Sequence, residues 1–561
     1  MQSPEALIKA GVEALEAGRF IDAASCFSRL LEAQPESIPG LCGLSAAHFG
    51  SGDVAAALSA AKRAQRLSPQ SIPPLSVLAP AAFCAGDQAS IALCLDALRA
   101  GGETAARLAH FWAQRLVEHE RFDEAVAVFD AFLAHHQPDY QALISFAELL
   151  LNASHPERAR AFISRAIRLQ PDQAAPHALN ARRHIQTGAL GAARADALRA
   201  IALDQACIPA YLVLAEADAS AIDEEMATHL AALMQDRNES AHNQSLAGFA
   251  LGRSLESRGD HVKGFDAYAA ANAAARSQAA AAGRGYNRRA AEATIEATKS
   301  RFPARVFTAP PPAPGRGGNL IFVTGMPRTG STLIDQILSS HSAATSAGEC
   351  MALPRVFDAI MARSAQTGEG VAALIDQHAD EWEALYRKGL KLDSGAKQVI
   401  VDKTLHNFWH YGLIARLFPA AKIIEARRDP MDVGFSIFRL NFLAAHAYSN
   451  SLEDIAHAIH CFEELSAYWR SVLPQSARTV VYEELVGDFR KGVADLLDFC
   501  GLPLEEGCLD FQRSARPVNT MSAAQVRQGV TTDRRGRWRA YEAQLAPLRR
   551  ALDDLSKSPH S

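Results

Sequence analysis

The sequence predicts a multidomain chain, an all-α solenoid followed by an α/β domain with a parallel sheet, and three observations carry that prediction. The first 220 residues repeat with a period near 34. After residue 319, short apolar strands alternate with helical patterns. A proline- and glycine-rich stretch, 301–318, stands between the two parts. At 561 residues, 48% hydrophobic and 21% charged, the chain can bury more than one core and has an ordinary globular balance. The expected division is 1–300 for the helical array, 301–318 for the linker and 319–561 for the α/β domain.

Within the array, Pro35, Pro69, Pro138 and Pro171 each close a helix of similar composition, as in Ser-Arg-Leu-Leu-Glu-Ala-Gln-Pro and Ser-Arg-Ala-Ile-Arg-Leu-Gln-Pro. The gap from Pro69 to Pro138 fits two repeats, with an unmarked boundary near 103, and a sixth copy ends near Gln205. Each unit has a mid-repeat break, such as Glu-Ala-Gly-Arg-Phe (16–20), Gly-Ser-Gly-Asp-Val (50–54) or Glu-His-Glu-Arg-Phe (118–122). Small residues recur where two helices must touch. The pattern resembles tetratricopeptide repeats, each unit a helix–turn–helix stacked on the next. Such an array offers a concave surface to a protein partner or substrate; a rigid spacer, or an element that pairs two copies as a homodimer, is the alternative. Beyond about 222 the period fades, while helical patterning continues through 250–260 as a degenerate capping repeat. Residues 303–318, with five prolines and three glycines, read as linker.

The net charge of −5 argues against a general nucleic-acid binder. Nine cysteines (Cys26, Cys42, Cys84, Cys94, Cys207, Cys350, Cys461, Cys500 and Cys508) form no Cys-x-x-Cys pair. They read as reduced thiols rather than a disulfide framework. The start, Met-Gln-Ser-Pro-Glu-Ala-Leu, lacks the pattern of a secretory signal. No apolar run approaches the ~18 residues that a membrane span requires. A soluble, cytoplasmic chain without membrane contact is expected.

The α/β part opens on Asn-Leu-Ile-Phe-Val-Thr-Gly-Met-Pro-Arg-Thr-Gly-Ser-Thr (319–332). Leu320 to Val323 form a run suited to a strand buried on both faces. Leu333, Ile334, Ile337 and Leu338 then share one helical face. Between them lies the frame of a phosphate-binding loop, Gly325 to Gly330, with Ser331 and Thr332 where a lysine and a Ser/Thr are expected. An ATP-binding loop needs that lysine as a point charge. Without it, backbone N–H groups at a helix start still cradle an anion, and Arg328 supplies charge.

Further strands follow at Val399–Val401, Lys422–Ala426 and Thr479–Tyr482, with helices near 405–417, through about 440 and through about 499. Strand–helix alternation indicates a parallel sheet, whose ligands sit beyond the carboxyl ends of its strands. The 325–332 loop, Asp402-Lys403, Arg427-Arg428 and Tyr482 all fall there.

These residues resemble a family. Pro327-Arg328-Thr329-Gly330-Ser331-Thr332 looks like the 5′-phosphosulfate loop of sulfotransferases, which use 3′-phosphoadenosine 5′-phosphosulfate (PAPS) as donor. Arg428 with Ser436 looks like their 3′-phosphate site. The resemblance is to the tyrosylprotein sulfotransferases, and to bacterial proteins joining tetratricopeptide repeats to a similar domain, and it covers about 319–545. It implies a P-loop-like sulfotransferase domain with Glu349 as catalytic base, Lys403 near the bridging oxygen and Arg328 on the leaving charge. It implies donor contacts from Arg328, Thr329, Gly330, Ser331, Thr332, Arg428, Ser436, Tyr482, Ser522, Arg537 and Trp538. The basic cluster Arg534, Arg535, Arg537 and Arg539 around Trp538 then reads as a C-terminal clamp on the donor's phosphate.

The chemistry fits independently. Sulfuryl transfer, like phosphoryl transfer, relies on positioning and charge stabilisation, and no metal is called for. A carboxylate must take the acceptor's proton, and Glu349, in Ala-Gly-Glu-Cys, is placed to do so unless it serves only as a helix-capping carboxylate. Arg427 reads as structural. Tyr482 has a core aromatic as its alternative. His406 and His410 stand at i, i+4 without the glutamate of a metal-binding His-Glu-x-x-His, so packing or orientation is the expected role.

The family places arginines two and six residues after its catalytic glutamate, facing an acidic peptide. Here these are Met351 and Arg355, so Arg355 alone keeps the substrate contact. Those enzymes are also membrane-anchored, lumenal and disulfide-bonded, unlike the chain expected here. A protein tyrosine, a carbohydrate or lipid-linked sugar, or a small phenol remains open as acceptor. A P-loop kinase or NTPase, with Val401-Asp402 as its magnesium strand, and a catalytically silent interaction protein are the rival readings.

Overall fold

The computed structural model describes residues 3–16, 19–69, 71–99, 103–118, 122–135, 140–153, 155–308, 310–311, 313–390, 392, 397–442, 446–473, 477–513 and 535–557. The chain forms two compact units, Met1–Arg183 and His184–Ser561.

In the first unit, helices pair in succession. Starts at Pro4, Ile38, Ile72, Tyr140 and Ala174 lie 34 residues or a multiple of 34 apart, and the second unit keeps that spacing at Ile208. Helices end at Ala33, Leu67 and Leu169, two residues before Pro35, Pro69 and Pro171; Pro138 lies outside the described residues. Side chains cap several starts: Ser37 accepts from the Gly40 N–H and Asp53 from the Ala56 N–H. Small residues make the close contacts, with Ala57, Ala61 and Ala64 wholly buried on one helix. Phe27 fills the space among Leu7, Ala14, Ala23, Leu30 and Ala47. The Trp112 indole N–H donates to the Leu75 carbonyl across two helices at 3.1 Å. Among the described residues no helix is long and apolar enough to cross a membrane.

The second unit is built on a five-stranded parallel sheet. Its strands are β1 (Leu320–Gly325), β2 (Ala344–Gly348), β3 (Val399–Asp402), β4 (Lys422–Arg427) and β5 (Ala477–Val481), in the order β2-β3-β1-β4-β5. Alternation along β1 sends Ile321 and Val323 to one core with Ile334, Ile337, Leu338 and Leu497. Leu320 and Phe322 go to the other, with Tyr386, Tyr411 and Phe418. β2, whose sequence Ala-Thr-Ser-Ala-Gly has no apolar run, was not visible as a strand; it is an edge strand recruited by pairing with β3.

The helices between 208 and 301 do not stand apart from this sheet. Phe249, Phe265 and Tyr268, from helices Ala241–Ser257 and His261–Ala281, share the second core, as does Phe302. The degenerate repeat is thus also a wall of the sheet's core. The expected linker is tied down as well: Arg316 pairs with Asp380 at 2.6 Å and Glu383 at 3.2 Å. The division between the two units falls near 183, and the second unit's core takes in Phe249, Phe265, Tyr268 and Phe302 together with the sheet.

Candidate active site

All five strand ends deliver a polar side chain to the same edge of the sheet. Arg328 follows β1, Glu349 follows β2, Lys403 follows β3, Arg428 follows β4 and Tyr482 follows β5. β1 connects toward the β2 side and β4 toward β5, so the strand order reverses between β1 and β4. Ligands of open parallel sheets bind at such a reversal. Arg328 and Arg428 meet there, with an Arg428 Nη1 to Arg328 carbonyl distance of 3.4 Å.

The loop between β1 and helix Ser331–Ser339 is held open by unusual backbone. Arg328, at φ 72°, is the one described non-glycine residue with positive φ, and Gly330 follows at 96°. A non-glycine residue tolerates that region only when its surroundings impose it, often at a ligand site. A Cβ on Gly330 would lie 2.7 Å from the Tyr482 ring, and one on Gly325 would lie 2.6 Å from the Ala426 carbonyl oxygen. Thr329, Ser331 and Thr332 are buried, and the Thr329 hydroxyl donates to the Met326 carbonyl at 2.7 Å. The loop therefore presents N–H groups at a helix start, where the macrodipole favours an anion.

Charges close around this cradle. Arg328 Nε donates to Ser436 Oγ at 2.9 Å. The Arg428 guanidinium lies over the Tyr482 ring, 4.8 Å from its centre, with Asp432 at 3.5 Å and Glu483 at 3.9 Å. Asp429 caps helix Pro430–Phe438 by accepting from the Met431 and Asp432 N–H groups, with Arg428 just before the cap and Ser436 in the helix's second turn. Arg427 goes elsewhere: it donates to Glu425, Glu463 and Ser466 at 2.6–2.8 Å. It is structural, as read from the sequence.

Across the edge, the nearly buried Lys403 ammonium pairs with the half-exposed Glu349 carboxylate. Their positions are set by Asp402, which is 1% exposed. It accepts from the Thr404 N–H and hydroxyl (3.1 and 2.7 Å), Tyr386 (3.0 Å), Asn407 (3.3 Å) and the Cys350 thiol (3.7 Å). Burial pushes this carboxyl up to about 6. Met351 is 48% exposed and Arg355 half-buried on helix Ala352–Thr367.

The expected helix 405–417 starts as a 3-10 turn, Leu405–His410, and becomes α-helical only at Tyr411. Its three residues per turn take His406 and His410 off a common face. The His406 ring lies 5.1 Å from that of His446, and the His410 ring 4.8 Å from that of Phe357. His446, which no motif marks, stands beside Glu349 only through the fold.

At the C-terminal segment, Trp538 stacks with Arg539 and Arg549, its indole nitrogen buried without a hydrogen-bond partner. Such a donor costs stability unless something accepts from it. Arg537 points to Glu256 at 3.1 Å and is not gathered with Arg428. Ser522 and Arg534 lie outside the described residues. Asp432, and the burial of Asp402, went unread because nothing in sequence separates a buried carboxylate with several donors from a surface one.

Residues 320–506 match the family model described as sulfotransferase family, and residues 8–72 and 112–174 match that for the tetratricopeptide repeat. A chain described as an uncharacterized protein of Aquifex aeolicus (strain VF5) is 32% identical over 351 residues, 60% of this chain and 45% of that one. This chain thus spans under half the length of that relative. The sulfotransferase domain of the Synechococcus PCC 7002 olefin synthase is similar at 21% identity and a TM-score of 0.29, over 44% of this chain and 97% of its own. A retinol dehydratase in complex with retinol and PAP is similar at 15% identity and a TM-score of 0.25, over 44% of this chain and 83% of its own.

Proposed function

We propose that this chain, which joins tetratricopeptide repeats to a sulfotransferase-family domain, moves a sulfuryl group from PAPS to a hydroxyl or phenol acceptor in the cytoplasm. The repeats recruit a substrate or partner. The observation that carries the reading is the convergence of Arg328, Lys403, Arg428 and Glu349 on one sheet edge around a loop of N–H groups. The donor fits that residue set: a helix start with positive φ at Arg328 and Gly330 suits a 5′-phosphate, and the stacked Arg428 suits a second one.

Bound there, PAPS would supply an electrophilic sulfuryl group with a phosphate leaving group. Arg328 and the loop N–H groups stabilise charge on the leaving side, fixed in place beforehand. Lys403, just after β3, balances the same charge from the opposite side. Glu349 takes the acceptor's proton, and its exposure leaves it open to an incoming hydroxyl. The acceptor is a protein tyrosine, a carbohydrate or a small phenol. Met351 in place of an arginine weakens the case for a strongly acidic peptide.

The kinase or NTPase reading loses its magnesium ligand, because every acceptor direction of Asp402 is taken by protein donors. Thermal shift separates the two: stabilisation by 3′-phosphoadenosine 5′-phosphate (PAP) but not by ATP-Mg is expected, and the reverse result overturns the proposal. Donor binding with no transfer of labelled sulfate to any of a broad acceptor panel would favour a silent interaction protein. Comparing sulfo-modified proteins and glycans in cells with and without the chain identifies the acceptor.

A further inference from the structure

We infer that Asp432 is a positioning residue for donor binding, one carboxylate that fixes the C-terminal segment 536–541 beside Arg428. This rests on the donor reading of Arg428 given above. Asp432 lies in the first turn of helix Pro430–Phe438 and is 2% exposed. It is not needed as the helix cap, since Asp429 fills that role. Its oxygens are used across the fold instead. Oδ2 accepts from the Gly536 N–H at 2.7 Å and lies 3.5 Å from Arg428 Nη2. Oδ1 accepts from the Trp538 N–H at 3.3 Å.

Two physical consequences follow. Gly536 precedes the 3-10 turn Arg537–Tyr541, with φ 66°, so Asp432 caps that turn from a helix more than a hundred residues away in sequence. A buried carboxylate is tolerated only with partners, and its partners here are the clamp's backbone and the anion-site arginine. The place of the C-terminal segment and the direction of Arg428 are therefore set by the same group. The far side of the segment is gripped separately, by Glu256 on Arg537 and by His261, whose Nδ1 lies 3.1 Å from the Tyr541 hydroxyl. Asp432 is the grip that faces the site. It acts through Arg428 and the Trp538 backbone without touching the donor.

The test uses the full chain with PAP as probe and Asp432→Ala, Asp432→Asn and Arg428→Ala variants. For Asp432→Ala we expect PAP affinity and donor KM to worsen by roughly tenfold, the scale set by losing charge-assisted hydrogen bonds. The kcat at saturating donor should stay within about threefold, because no group on the reacting atoms changes. Asp432→Asn keeps one acceptor oxygen and should fall between wild type and Asp432→Ala. The double variant with Arg428→Ala should bind PAP no worse than Arg428→Ala alone, a non-additivity expected of groups acting as one unit. If Asp432→Ala does not fold, Asp432→Asn decides by the same split. Wild-type PAP affinity in the folded Asp432 variants, or a loss confined to kcat, overturns the positioning role alone. A wild-type chain that binds no PAP overturns the donor reading itself.

Discussion

Glu349 and Lys403 form an ion pair, so each has two tasks, holding its partner and serving the reaction, that single variants can separate. Glu349→Ala is expected to lower turnover by roughly 10²–10⁴-fold while leaving PAP affinity nearly intact, the usual contribution of a positioned base. Arg428→Ala should instead weaken PAP binding first, by about 1.5–3 kcal/mol for a lost charge-assisted contact, read by calorimetry. Equal loss of donor binding in both variants would make Glu349 a shaping residue only. The imidazoles give a pH prediction. Burial lowers His410 and His446 from the ordinary 6.5 to about 4, with His406 adding to the effect in both and Glu349 opposing it at His446. A depressed folded value means the neutral ring's stability is complete above 6.5 and is lost as pH falls toward 4. The melting temperature should drop between pH 7 and 4.5, and His446→Asn should flatten that slope. The two arginines of the 427–428 pair part company: Arg427 is held by Glu425, Glu463 and Ser466, whereas Arg428 lies over the Tyr482 ring. The reason lies in strand alternation: Arg427 shares the face of Glu425 and is held by it, so Arg428 turns the other way.

At the scale of elements, repeat helices and glycine loop were legible because each writes a local pattern. Helix ends fall two residues before prolines, and Gly330 sits where positive φ is needed. Gly330→Ala is expected to abolish PAP stabilisation in thermal shift, since its Cβ meets the Tyr482 ring and L residues resist φ 96°. In the array, Phe27 is 1% exposed and central to the first repeats. Phe27→Ala should cost about 3–5 kcal/mol by denaturant unfolding of the first unit, with donor binding unchanged. β2 left no pattern in sequence, since its hydrogen bonds come from β3 and its short Ala/Ser side chains suit an edge covered by neighbours. The turn at 405–410 misled the helix reading in the opposite way: its residues have helical spacing, but Asp402 with Thr404 and Asn407 pins its start.

For the whole molecule, the compositional boundary and the packing boundary differ, and that difference is testable. A chain beginning near residue 184 is expected to melt cooperatively and bind PAP. One beginning at 315 loses Phe249, Phe265, Tyr268 and Phe302 from the sheet's core and should melt at lower temperature or fail to fold. Full PAP affinity and unchanged melting in the shorter chain would restore the division at 301–318. Loss of acceptor turnover alone on removing residues 1–183 would support recruitment by the repeats.

By itself the sequence determined what depends on neighbours along the chain: the 34-residue period, the strand-loop-helix of the anion cradle, the parallel sheet and the polar residues that follow β1, β3, β4 and β5. Spacing alone sufficed there, because strand ends in such a sheet share one edge whatever the loops between them do. Only tertiary structure decided which carboxylates are buried and with whom. Asp402, Asp432 and Glu256 each acquire partners from distant elements, and a charge taken out of water is bound to whatever donors the fold brings to it. For the same reason Arg537 belongs to Glu256, and the helices carrying Phe249, Phe265 and Tyr268 share the sheet's core.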